Sequence, residues 1–251
     1  MELTPVVRFA LLLVRPGMVV MLAPGLGGRQ IPAPVKIALT VLVALGLMPA
    51  VETPDAPGAP ALALVVLHEV AVGLALAFVV QALVAAAELA GHLSSYQIGF
   101  SYGATIDPTS GVRSTLLVSL YGMLATLAFL AVNGHHALLR ALSQSYAGVP
   151  MGAGQVSASL VGSVRDILAM VFDVGVRLAA PVLIVLVIVE LAIGLISRSA
   201  PSLTFMVIGY PIRTILGLVV VAALIYTVPA VITSMLESAL MLGGRTAAAF
   251  R

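Results

Sequence analysis

Three places in this sequence hold side chains or turns of the kinds that catalysis or ligand binding requires. His68 and Glu69 open "HEVAVG", which begins like a zinc-protease helix but lacks the second histidine. His135 and His136 are adjacent, so on a helix their rings diverge by about 100° and share a metal poorly. "GLGGR" follows no strand and carries no Lys-Ser/Thr pair, so it does not read as a phosphate-cradling loop. Ser, His and Asp all occur, yet no spacing marks a nucleophile elbow. The lack of Cys removes disulfides, thiolate metal sites and a Cys nucleophile. The residues as spaced support no enzyme, no metal and no cofactor.

What remains is a set of polar residues embedded in apolar sequence. With 3.6 residues per turn, Asp166, Asp173 and Arg177 fall within about 40° of one another. Asp173 precedes Arg177 by four, the favoured order for an intrahelical ion pair. This stripe reads as a neutralised pair packed against a partner helix, with a proton or ion relay as the alternative. Gln81, Glu88, His92, Ser95 and Gly99 likewise share one helix face, opposite Ala, Leu and Val. Such a face suits another subunit or a water-lined lumen.

The third apolar helix is expected to run without a clean break into "SYGATIDPTSG" and to give way at Asp107-Pro108. Proline disfavours helix at the residue before it, and Gly111 accommodates a left-handed turn. Asp107, Thr109 and Ser110 offer oxygens to backbone donors there. Composition alone makes this an exposed interhelical loop. Phe100, Tyr102 and Ile106 argue otherwise, because an ordinary exposed loop does not display such large apolar groups together.

The elements that carry these residues are strongly apolar. Of 251 residues, 61% are hydrophobic and 9% charged, against about a quarter charged in soluble domains. Runs of the roughly 20 apolar residues that cross a bilayer recur along the chain. The fold class is therefore an all-α integral membrane protein in a lipid membrane, with about six long, kinked hydrophobic helices. They lie near residues 3–23, 35–51, 61–90, 114–139, 167–196 and 203–235.

The first stretch is broken at Arg15-Pro16-Gly17, and the fifth carries Arg165, Asp166, Asp173 and Arg177 before Pro181. A charge at mid-bilayer costs about 2.5–3.5 kcal/mol on insertion scales. These helices should therefore face protein or water, as part of an assembly. Arg29 and Lys36 in the first loop, against Glu52 and Asp55 in the second, put the first loop in the cytoplasm. Both termini then lie outside and the loop near Arg198 inside, although Arg245 and Arg251 run against that assignment. Glu2 and the lack of a cleavage site make the first segment a retained helix rather than a signal peptide. The scattered basic residues form no nucleic-acid patch.

"APGLGGRQIPAPVKIALTVLVALGLMP", "HEVAVGLALAFVVQALVAAAELAGHLSSYQIGFSYGATIDPTSG", "LAFLAVNGHHALLRAL" and "ISRSAPSLTFMVIGYPIRTILGLVV" resemble, in that order, the FliR family of flagellar type III export-gate proteins. The most specific matches are Asp107-Pro108-x-Ser110-Gly111, Asn133-Gly134-His135, and Ala200-Pro201 followed by Gly209-Tyr210-Pro211. The resemblance implies a subunit of a FliP, FliQ and FliR gate, a helical cone of kinked hairpins around a narrow conduit. It further implies one export-gate domain over 1–251, with 1–150 similar to FliP and a helical hairpin at 151–251 similar to FliQ.

The family's plug loop falls at about Tyr102 to Val112. Phe100, Tyr102 and Ile106 would seal the lumen, and Asp107, Pro108, Thr109, Ser110 and Gly111 would form the turn. The loop with Arg198 and Pro201 would face a FlhB-like partner at the cytoplasmic entrance. Unfolded export substrates would pass through the conduit, in the bacterial inner membrane within the flagellar basal body. Tyr102-Gly103 stands where the family more often has Phe-Ala, and His136 is an added imidazole. Injectisome relatives share the architecture and are the nearest alternative. The rival from another class is an ion- or proton-coupled transporter using Glu69, Glu88, Asp173 or Glu190.

Overall fold

In hydrocarbon every backbone N–H and C=O needs an internal partner, so long Leu, Val and Ala runs fold as helices. The computed structural model describes residues 4–28, 31–51, 59–100, 116–152, 159–199 and 205–248. Those residues form α1 (Thr4–Leu22), α2 (Ala33–Leu47), α3 (Ala59–Ile98), α4 (Leu116–Ala131), α5 (Gly134–Gly148), α6 (Ser159–Ser199), α7 (Phe205–Leu224) and α8 (Thr227–Ala248). A single 3₁₀ turn, Met48–Ala50, follows α2. No strand occurs among the described residues.

By length and composition, four helices can cross a membrane, or six spans if the bent pairs α4–α5 and α7–α8 each count as one. The six apolar stretches expected from sequence correspond to these six units. The protein is a multi-pass, all-α membrane protein.

Two expectations are corrected. The break at Arg15-Pro16-Gly17 is absent, since α1 is one helix with Pro16 inside it. Proline leaves the carbonyl four residues earlier without its helical N–H donor. The hydroxyl of Tyr146 lies 3.5 Å from that Leu12 oxygen, so a polar group from α5 faces the defect.

Nor does α3 continue towards Asp107. It stops at Ile98, where Gly99 takes φ 100°. The Phe100 N–H donates to the Ser95 carbonyl at 3.0 Å and the Gly99 N–H to the Tyr96 carbonyl at 3.2 Å. This is a Schellman cap, which needs a residue in the left-handed region and so selects glycine. The family motif thus follows a clean helix stop.

The chain divides into two compact units. One comprises Met1–Leu83, Phe129–Ala169 and Thr233–Arg251; the other comprises Val84–Ala128 and Met170–Ile232. In the first, α1 packs on the N-terminal part of α3, with Leu12, Val19, Val20, Val72 and Leu76 buried. In the second, the backbone of α4 lies directly on α3. A Cβ at Gly91 would fall 2.8 Å from the Val118 Cα and 3.0 Å from the Leu117 carbonyl oxygen. Ala87 and Ala90 flank Gly91 and are buried, while Ala86 faces α6, its oxygen 3.0 Å from where a Cβ on Gly175 would be, as small residues do where membrane helices meet.

Candidate functional site: buried charges and helix ends

Arg15 and Glu69 are both completely buried. Arg15 Nε donates to Glu69 Oε2 at 2.8 Å and Nη2 to Oε1 at 2.9 Å. This is the two-pronged geometry in which a guanidinium matches a carboxylate. Arg15 Nη1 donates to Ser145 Oγ at 3.0 Å, and Nη2 also reaches the Val149 carbonyl at 3.3 Å. Ser145 Oγ in turn donates to the Leu142 carbonyl at 2.7 Å. The Tyr146 ring covers the guanidinium 4.0 Å from its centroid, a cation–π contact. His68 Nδ1 lies 3.8 Å from Glu69 Oε1. Burying two ions carries a desolvation cost of several kcal/mol each, which only such close and complete pairing offsets.

Sequence reading missed this constellation. It put Arg15 at a helix break and Glu69 among candidate relay carboxylates. The available signal was that the first apolar stretch carries only basic charge, Arg8 and Arg15, and the third only acidic charge, Glu69 and Glu88.

A second interhelical pair joins Glu190 of α6 to Arg213 of α7. Asp173 and Arg177 form the expected i, i+4 pair, with Arg177 Nε donating at 2.8 Å, but on an open face. Arg165 and Asp166 meet at 3.3 Å, also exposed. Gln81, Glu88 and His92 are exposed along α3, while Ser95, at the edge of their stripe, is 1% exposed and turned inward. Glu88 lies against α4, its Oε1 3.0 Å from where a Cβ on Gly122 would be. Lys36 Nζ donates to the Gly27 carbonyl at 2.8 Å. The only lysine therefore ties down the glycine turn after α1.

Of the expected gate segment, Phe100 is described and half-buried next to the α3 cap. Tyr102, Ile106, Asp107, Pro108, Thr109, Ser110 and Gly111 lie outside the described residues, as does Pro201. Arg198 is exposed in the last turn of α6.

The Asn133-Gly134-His135 motif has a local cause. The chain bends by 69° between α4 and α5, and Asn133 there takes φ 58°. Apart from glycine, Asn and Asp are the residues that tolerate this left-handed conformation best. Gly134 is packed against Phe129: a Cβ would fall 2.4 Å from the ring and 2.8 Å from the Phe129 oxygen. The His135 and His136 ring centroids are 4.3 Å apart, and no metal-binding cluster of three or more ligands occurs among the described residues.

Because Asn133 is exposed, Asn133→Val is expected to cost about 1–2 kcal/mol through backbone strain alone. Asn133→Gly should leave stability within a few tenths of a kcal/mol. Thermal unfolding of the purified protein in detergent measures both.

An apolar cavity of about 480 Å³ is lined by Leu22, Leu74, Phe78, Gln81, Leu160 and Val164 together with two alanines. With one amide among apolar walls, it offers no set of convergent groups for catalysis.

The family model described as bacterial export proteins, family 1, matches residues 6–239. The flagellar biosynthetic protein FliR of Escherichia coli is 32% identical over 203 residues, 80% of this chain and 78% of that protein. The protein of the same name from Caulobacter vibrioides is 30% identical over 216 residues, 85% of this chain and 86% of that one. The surface presentation of antigens protein SpaR of Shigella sonnei is 28% identical over 153 residues, 61% of this chain and 59% of its own. With a family-model match over residues 6–239 and relatives of this extent, the multi-pass helical chain belongs to the bacterial export proteins of family 1 and, within them, to the FliR family of flagellar type III export components.

Proposed function

We propose that this chain is a gate subunit of the flagellar type III exporter in the bacterial inner membrane, within the basal body. It joins FliP-like and FliQ-like chains around a conduit for unfolded export substrates and has no catalytic step of its own. Residues 1–150 act as the FliP-like part and 151–251 as the FliQ-like hairpin. The segment from Phe100 through Tyr102, Ile106 and Asp107 to Gly111 plugs the conduit. The loop with Arg198 and Pro201 meets a FlhB-like partner.

One observation carries this reading. Glu88, His92, Asp173 and Arg177 are exposed in the isolated chain, although they sit within helices of 40 and 41 residues. At a rise of 1.5 Å per residue each helix is about 60 Å long, twice the roughly 30 Å hydrocarbon core. Lipid is a poor solvent for those side chains, so their faces meet other subunits or a watery lumen. Helices of this length also need not lie wholly in the bilayer.

The test is co-expression with tagged FliP-like and FliQ-like chains. The expected result is one stable complex containing all three. A complete conduit reconstituted from this chain alone would overturn the shared-gate reading.

The coupled-transporter alternative loses support because Glu69, Asp173 and Glu190 are each engaged by an arginine. Glu88→Gln and Asp173→Asn are expected to keep both assembly and export within about twofold of wild type, since Glu88 lies on an exposed face and Asp173 loses only an exposed pair, worth about 0–1 kcal/mol. Normal assembly with abolished flux would instead favour a relay.

A further inference from the structure

We propose that Arg15 and Glu69 form a register latch, which sets where α1 sits along α3 and α5. This goes beyond the gate reading and does not depend on it. The apolar contacts of α1 are poor at setting register. Its buried residues Leu11, Leu12, Val19 and Val20 are similar in size and recur at helical spacing. Moving α1 by three residues towards its N-terminus brings Val14, Leu22 and Ala23 to the places of Leu11, Val19 and Val20, so at those four places only Arg15, at the place of Leu12, is not apolar.

The charges respond differently to the same slip. That slip puts Met18 opposite Glu69 and carries Arg15 to the buried place of Leu12, among apolar side chains. Two buried ions then lose their partners, the arrangement that buried charge tolerates least. A slip of seven in the opposite direction brings Arg8 opposite Glu69 but carries Arg15 to the place of Leu22, in the apolar wall of the cavity. Only the observed register gives the guanidinium both carboxylate oxygens, Ser145 Oγ, the Val149 carbonyl and the Tyr146 ring together. Since Ser145, Tyr146 and Val149 stand at the end of α5, the same contact fixes three elements at once. A single buried polar group that specifies register is an attested use of such groups in helical assemblies.

The chain has no cysteine, so register is measurable with two engineered labels. Val6 on α1 and Leu67 on α3 are 67% and 65% exposed and accept nitroxides as Val6→Cys and Leu67→Cys. In the otherwise wild-type protein, pulsed electron spin resonance is expected to give one narrow distance. In Arg15→Met with Glu69→Leu, an apolar exchange that removes both charges, the protein is expected to stay helical. Its distance distribution should broaden or split, with components displaced by about 5 Å, one helical turn. The same narrow distance in that double variant would overturn the proposal, leaving the pair as packing only. If the double variant fails to fold, the charge swap Arg15→Glu with Glu69→Arg decides. Recovery of the narrow wild-type distance supports the latch, and a folded swap with a displaced distance overturns it.

Discussion

Glu69→Ala is expected to remove most of the folded protein from the membrane fraction. Arg15 would keep its charge while losing both carboxylate oxygens, and it is wholly shielded from water. Ser145 Oγ and the Val149 carbonyl would remain, two neutral acceptors for a full positive charge. Breaking one side of a buried pair costs about 3–5 kcal/mol, a large part of the 5–15 kcal/mol by which folded domains are usually stable. Glu69→Gln retains one carbonyl acceptor but no charge, and should fall between Ala and wild type. Glu88→Ala, on an exposed face, is the control and should change little. The folded fraction is read by size-exclusion chromatography in detergent and by resistance to proteolysis. Equal yields of Glu69→Ala and Glu88→Ala would mean that water or another ion reaches Arg15.

The contrast between those two glutamates marks the limit of what the sequence discloses. Local features are legible because they depend on neighbours in the chain. Apolar run length gives the helices, the i, i+4 spacing gives Asp173–Arg177, and Asn133-Gly134 marks a bend that only a left-handed residue can make. The position of the family motif after α3 is legible as well, but its helix boundary is misread. The proline at 108 draws the eye, while the glycine at 99, with φ 100°, ends the helix. Arg15–Glu69 is invisible for a different reason. Its partners lie 54 residues apart, and nothing in either segment says which of the other helices supplies the opposite charge. Pro16 misleads in the same way, because the Tyr146 hydroxyl that faces the Leu12 oxygen comes from 134 residues further along the chain.

The second large effect concerns conduction. Deleting residues 104–111 is expected to leave the proposed three-subunit complex assembled while opening it to small ions, seen as conductance in planar bilayers. Assembly should survive because the helices that flank the segment are held by contacts outside it. Near its start α4 rests on α3 at Gly91, with the Leu117 oxygen 3.0 Å and the Val118 Cα 2.8 Å from a Cβ placed there. The end of α3 at Ile98 is seven residues further along, roughly 10 Å at helical rise. Nine residues would remain between Ile98 and Leu116 after the deletion, 99–103 and 112–115, enough to reach about 30 Å when extended. The connection therefore needs only part of the natural segment. Connections longer than about 12–15 residues are commonly functional, and here the deleted surplus contains Ile106 and Asp107-Pro108. An assembled, deleted complex that still holds back ions would remove the plug role from this segment. A complex that no longer forms would make it a structural tie, contrary to the packing at Gly91.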